Sequence, residues 1–142
     1  ETWVAEAVIA GAEVMCGGKR ISDSCYAPTV LFNPPEDCRV SREEIFGPVI
    51  SVYEKQDLND AIAQANSLPY AFQASVFSND YTEIMNAING LDGSAIMVNE
   101  HSAFRVDWMP FAGRNRSGLG VCGIAHTLED MSQSKMAVLS FG

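Results

Sequence analysis

Apolar residues recur at helical spacing at the start of the chain, where Trp3, Val4, Ala7 and Val8 lead up to a stop at Gly11. Glu13-Val14-Met15-Cys16 then reads as a short strand closed by Gly17-Gly18. Thr29-Val30-Leu31-Phe32 is a second β-type run, halted by Pro34-Pro35, and Val49-Ile50-Ser51-Val52-Tyr53 is a third, opened by Pro48. The period then changes. Leu58, Ala61, Ile62 and Ala65 sit at i, i+3, i+4 and i+7, with Asp57 placed to cap the helix and Pro69 beyond its end. Phe72 to Phe77 is strand-like again. Tyr81, Ile84, Met85 and Ile88 mark another helix, ending near Asn89-Gly90, and Ala95 to Val98 is a buried-type strand.

Strands alternating with helices of about ten residues imply parallel βαβ units, so the expected fold class is α/β. From Asn99 to Gly120 the pattern breaks into a loop rich in Gly, Arg and aromatics. It exceeds the roughly 12 to 15 residues beyond which a structureless connection is usually functional or disordered, so function is sought there. A short helix around Ile124 to Met131 and a final strand, Met136 to Leu139, complete the pattern.

Composition narrows the class. The 142 residues suffice for one ordinary domain, and 18 acidic against 9 basic residues leave a net charge of −9. That charge works against nucleic acid or an anionic membrane as partners, so any anion site must be local. At 47% hydrophobic and 19% charged the chain is too apolar to be disordered. Its longest apolar stretches fall far short of the roughly 20 residues of a membrane span. Cys16, Cys25, Cys38 and Cys122 contain no C-x-x-C pair and read as free thiols of a reducing compartment. With Glu1 first and no signal-like series after it, the expectation is a cytoplasmic protein of which this chain is a piece.

Three motifs carry candidate chemistry. Gly118-Leu119-Gly120-Val121-Cys122-Gly123 matches G-x-G-x-x-G, but Arg114-Asn115-Arg116-Ser117 precedes it in place of a buried strand, and no room remains for the acidic residue about 20 positions on. A tight glycine turn allowing close backbone approach is the favoured reading. Cys122 and His126, four apart, can share a face of the short helix, but two ligands do not make a zinc site, and no metal is expected. Ser41-Arg42-Glu43-Glu44 matches a capping box, which on the residues alone is the favoured role of Glu44. However, Gly47-Pro48 allows such a helix only one turn, and a carboxylate and an aromatic two residues apart, Glu44 and Phe46, can both be aimed at one ligand.

Glu43-Glu44-Ile45-Phe46-Gly47-Pro48-Val49 resembles the E-E-I-F-G-P-V block of the aldehyde dehydrogenase superfamily. Other blocks follow in that family's order: Pro28-Thr29-Val30-Leu31, Ala65-Asn66 with Pro69-Tyr70, Ala74-Ser75-Val76-Phe77, Val98-Asn99, Pro110-Phe111-Ala112-Gly113, Ser117-Gly118-Leu119-Gly120 and Lys135. The resemblance implies the C-terminal part of a catalytic domain over residues 1–134 and an oligomerisation strand over 135–142. It also implies NAD- or NADP-dependent oxidation of a small aldehyde through a cysteine thiohemiacetal and thioester, with the nucleophile and general base upstream of residue 1. No catalytic residue is therefore expected within the chain, which alone should be inactive. It should work with its own upstream cofactor-binding region and as a homo-oligomer, a dimer or tetramer.

By position, Glu44 would hold the nicotinamide ribose hydroxyls, Phe46 would pack on ribose and nicotinamide, and the loop carrying Asn99, Phe104, Arg105 and Phe111 would line the aldehyde entrance. Arg105 has two readings of equal weight: a bidentate partner for a substrate carboxylate or phosphate, or a brace to Asp107 or a solvated side chain. The chain departs from the family at Ala71, at Ala112 and at Cys122, where many members have a glutamate thought to relay protons. The alternative from another class is a stand-alone, non-catalytic domain of the same fold used for self-association. A third option, a small nucleotide-binding module on Gly118 to Gly123, would require NAD binding by this chain alone.

Overall fold

Helix α1 (Thr2–Ile9) buries Val4 and Ala7, the inward positions of the opening helical stripe. In the computed structural model, which describes residues 1–142, it belongs to the first of two units, Glu1–Gln56 and Asp57–Gly142. Strand β1 (Glu13–Cys16) is followed by a small hairpin of β2 (Arg20–Ser22) and β3 (Cys25–Tyr26), then by β4 (Thr29–Phe32), α2 (Arg39–Arg42) and β5 (Val49–Val52). β4 is central in the sheet β1-β4-β5, antiparallel to β1 and parallel to β5. Its inward residues are Thr29 and Leu31, and Leu31 is fully buried with Val4, Ala7, Ala12 and Val40.

The parallel βαβ expectation therefore fails at the first strand. A hairpin, not a helix, links β1 to β4, and a connection without a crossover returns the chain antiparallel. That hairpin was not legible in Arg20 to Tyr26, a run too short for periodicity. Gly17 supplies the turn that makes it possible: its φ is +76°, and a Cβ there would lie 2.1 Å from the Pro28 carbonyl oxygen. Beside it the buried Thr29 hydroxyl donates to the Ala27 carbonyl and accepts from the Gly18 N–H, both at 2.8 Å.

The second unit holds α3 (Leu58–Ala65), β6 (Tyr70–Ala71), β7 (Gln73–Val76), α4 (Tyr81–Gly90), β8 (Ala95–Val98), β9 (Arg114–Asn115) and α5 (Ile124–Asp130). The expected N-cap forms, Asp57 accepting from the Asn59 N–H, and α4 has one that was not anticipated, Asp80 accepting from the Thr82 and Glu83 N–H groups. β7 and β8 pair in parallel across α4, a true βαβ unit. β9, a strand inside the expected loop, pairs antiparallel with β6. No helix is long and apolar enough to cross a membrane.

Each parallel pair closes in the same way. After β4, Asn33 takes φ +46° and donates its N–H to Val52 at 2.7 Å, while its Oδ1 accepts from the Glu54 N–H at 2.9 Å. After β8, Asn99 takes φ +54° and donates its N–H to Val76 at 2.8 Å, while its Oδ1 accepts from the Ser78 N–H at 3.0 Å and its Nδ2 donates to the Ser78 carbonyl at 2.9 Å. Asparagine suits this place because it tolerates a left-handed backbone and offers both a donor and an acceptor.

Residues 132–142 form neither helix nor strand, and Met136, Val138, Leu139 and Phe141 are exposed. The strand expected over Met136 to Leu139 is thus absent from the single chain, because a strand exists only where a neighbour supplies its ladder.

Candidate functional site

In the first unit α2 ends before Glu43, whose φ −123° and ψ 147° are already extended. Ile45 packs against the buried cluster of α1, β4 and α2. Its neighbours Glu44 and Phe46 line one cleft of about 640 Å³, together with Trp3, Cys25, Tyr26 and Pro48. The turn is locked by backbone bonds from Gly47 N–H to the Ile45 carbonyl, 2.7 Å, and from Val49 N–H to the Gly47 carbonyl, 2.9 Å.

The capping-box reading of Glu44 is corrected here. Ser41 lies inside α2, whose N-cap is Cys38, and its hydroxyl donates to the Pro35 carbonyl and accepts from the Tyr53 hydroxyl at 2.6 Å. Glu44 is free of that duty and takes part in none of the four ion pairs, which join Arg20–Glu1, Arg39–Glu6, Lys55–Glu36 and His101–Glu100. Phe46 is 93% exposed. An unpaired carboxylate beside an uncovered aromatic face, in one cleft, suits a ligand that offers hydroxyl donors next to a flat ring system. A nicotinamide riboside moiety is such a ligand, so the residues present fit the dinucleotide expected for them.

Wall residues from α1 and from the β2–β3 hairpin were not anticipated as part of this cleft. The only sequence signal for them is the polar pair Asp23-Ser24 at the hairpin tip.

The second unit holds the remaining expected residues. The Arg105 guanidinium carbon lies 4.0 Å from the centroid of the Phe111 ring, a cation–π contact. Phe111 meets Phe72 edge to face, with centroids 4.9 Å apart at 88°. The proposed Arg105–Asp107 brace is not formed, since Arg105 enters no ion pair. Phe104 lies apart from that stack, lining a cleft of about 430 Å³ over β8 with Glu100 and Met109. Asn99 is not free to reach outward, its amide being engaged with the Ser78 main chain.

Phe111 is also held by its backbone, which exchanges N–H···O bonds with Cys122 at 2.9 and 2.8 Å. Cys122 therefore lies before α5, not on it, and does not share a helical face with His126. The tight-turn reading of the glycine run gains support at Gly118. A Cβ on Gly118 would stand 3.4 Å from Gly113, and one on Gly113 would lie 2.3 Å from the Ser117 carbonyl oxygen, so the two backbones touch.

The chain belongs to the aldehyde dehydrogenase family, whose sequence model matches residues 1–137. It is 37% identical over 140 residues to a 3-sulfolactaldehyde dehydrogenase of Priestia megaterium, an alignment covering 99% of this chain and 29% of that protein. It is 38% identical over 139 residues to a lactaldehyde dehydrogenase of Methanococcus maripaludis, covering 98% of this chain and 30% of that protein. Among solved structures it is similar to lactaldehyde dehydrogenase from Escherichia coli, with a TM-score of 0.85 and 32% identity over 94% of this chain and 28% of that one. The chain thus spans a little under a third of the length of these relatives.

Proposed function

We propose that this chain is the C-terminal part of an NAD(P)-dependent aldehyde dehydrogenase that oxidises a small aldehyde to its carboxylic acid. The observation that carries this is the shared cleft of Glu44 and Phe46, in the family's own segment, with the carboxylate unpaired and the ring uncovered. NAD or NADP supplies the hydride acceptor when bound. Glu44 accepts hydrogen bonds from two ribose hydroxyls, a charge-assisted bidentate contact that fixes the sugar. Phe46 limits how far the ring attached to that sugar can slide. Their work is positioning, and the nucleophile and general base come from sequence outside this chain.

Phe104, Arg105 and Phe111, with Asn99 at the base of their loop, are assigned to the aldehyde side. Arg105, its guanidinium carbon over the Phe111 ring and in no ion pair, has N–H donors to offer an anionic group on the substrate. An oxygenated or anionic aldehyde is in keeping with the names of the relatives, 3-sulfolactaldehyde and lactaldehyde dehydrogenases. Cys122 stands where many family members have a glutamate, so proton relay from that position is not assigned to it. The intact protein acts as a homo-oligomer in the cytoplasm.

The test is NAD(P)H formation by the full protein that carries this chain, over a panel of small aldehydes with and without carboxylate, sulfonate or phosphate groups. Turnover with preference for anionic members is expected. Absence of turnover with every aldehyde and both dinucleotides would favour the non-catalytic, self-associating alternative.

A further inference from the structure

From the two matched asparagine clasps we infer that Asn33 and Asn99 are positioning residues, each within its own unit: Asn33 aims the segment that carries Glu44 and Phe46, and Asn99 aims the segment that carries Phe104, Arg105 and Phe111. The inference rests on the proposed function; it adds Asn33 and replaces a ligand-lining role for Asn99 with one in which neither asparagine touches a ligand.

The two clasps share two bonds, and Asn99 adds a third from its Nδ2 to the Ser78 carbonyl. Phe32 pairs with Val52 and Val98 pairs with Val76 as the last rungs of the two parallel ladders. In each case the next residue is an asparagine at positive φ whose N–H reaches the carbonyl of that last partner, and whose Oδ1 takes the N–H two residues further along the partner strand. Each asparagine therefore ties together two chain ends as they leave the sheet. The bond to the residue two beyond the ladder continues the pairing by one step while the backbone itself turns away.

Location gives the clasps their meaning. Both lie at the C-terminal ends of parallel strands, the edge at which open α/β sheets present their ligand-binding connections. The first connection after Asn33 runs through α2 to Glu44 and Phe46. The first after Asn99 runs through Phe104 and Arg105 to Phe111. A change of direction at the root of such a segment is magnified at its far end, so a side chain that fixes φ and ψ at the root controls the aim of residues several positions on. A plain strand cap would require neither the left-handed turn nor its recurrence at the base of both candidate segments.

The variants N33G and N99G separate these roles, because glycine accepts the positive φ without strain while removing the side-chain bonds that hold it there. They are made in the full protein, with Km and kcat measured for dinucleotide and aldehyde, and with thermal melting as a control. For N33G the Km for dinucleotide should rise about tenfold, the equivalent of one lost hydrogen bond, with the aldehyde Km near wild type. For N99G the aldehyde Km should rise by at least that factor, two side-chain bonds being lost, with the dinucleotide Km near wild type. N33D, which keeps the acceptor, should restore the first; N99D, which loses the donor to the Ser78 carbonyl, should restore the second only in part.

Should a glycine variant fail to fold, the aspartate variants carry the same comparison. Lowered melting temperatures with both Km values unmoved would reduce the clasps to strand caps and overturn the inference. A wild-type protein that neither binds dinucleotide nor oxidises aldehydes would instead overturn the functional reading on which it rests.

Discussion

Glu44 and Glu6 are both carboxylates of the first unit, and their surroundings give them opposite tasks. Glu6 accepts two hydrogen bonds from the Arg39 guanidinium, and that contact, opposed by some burial and helped by the Arg39 charge, holds its carboxyl below the ordinary range. Arg39 in turn lies 5.0 Å from the Trp3 ring. A carboxyl with a lowered folded-state pKa contributes stability above its unfolded value and loses it as pH falls through the folded one. The E6Q variant should therefore melt below wild type at pH 7, and the gap should close in acid, below the ordinary carboxylate range, as melting curves across pH will show. Glu44 has no such partner. E44Q in the full protein should leave melting unchanged and slow single-turnover hydride transfer, since an amide keeps the shape but loses the charge that strengthens ribose contacts by about 1 to 3 kcal/mol. A lowered melting temperature with unchanged hydride transfer would assign Glu44 to structure. Among the thiols, burial and then the charges of Asp37 and Glu6 push Cys38 up, keeping it protonated. Alkylation followed by mass spectrometry should label the exposed Cys16, Cys25 and Cys122 before Cys38.

At the scale of elements, the expectations that held are those with a local cause. Helix α3 came with its expected cap at Asp57, and in α4 D80A should cost about 1 kcal/mol because Asp80 satisfies two N–H groups at the helix start. The expectations that failed concern pairing. The hairpin β2–β3 and the ribbon β6–β9 are two- and three-residue strands, below the length at which alternation can be read, and β6 in addition finds its partner more than forty residues along the chain. The Ser41 capping box failed for a related reason: the tertiary partners Pro35 and Tyr53 outcompeted the local N–H for the same hydroxyl. Gly17 shows how one residue can decide an element. G17A should destabilise the first unit by more than about 1 kcal/mol, since a methyl group would collide with the Pro28 carbonyl at an unfavourable φ; chemical denaturation measures it.

For the whole molecule the exposed apolar side chains are informative. Ile124, Leu128 and Met131 present a helical stripe to solvent on and just beyond α5, and the tail adds Met136, Val138, Leu139 and Phe141. Such surface is normally covered, and in a chain spanning less than a third of its relatives' length the rest of the protein and further copies are the candidates. The purified 142-residue chain should show no aldehyde oxidation with either dinucleotide, and any turnover would overturn the assignment of nucleophile and base outside it. In the full protein, deleting residues 135–142 should lower the mass in solution measured by light scattering; an unchanged oligomer would remove the tail from the interface.

The order of helices and main strands, the cap at Asp57 and the candidate ligand pair Glu44 and Phe46 were legible in the chain itself. Each depends on residues within a few positions of one another, where periodicity and covalent geometry act directly. The antiparallel β1, the packing of Ile45 on the core beside Glu44 and Phe46, the seating of Arg105 on Phe111 and the matched clasps of Asn33 and Asn99 were decided only by the tertiary structure. The partner lies far along the chain for β1 and for both asparagines, and in the irregular loop of Arg105 and Phe111 no periodicity says which nearby group will be met; a hydrogen-bonding or aromatic side chain has several equally good uses until folding brings one partner within reach.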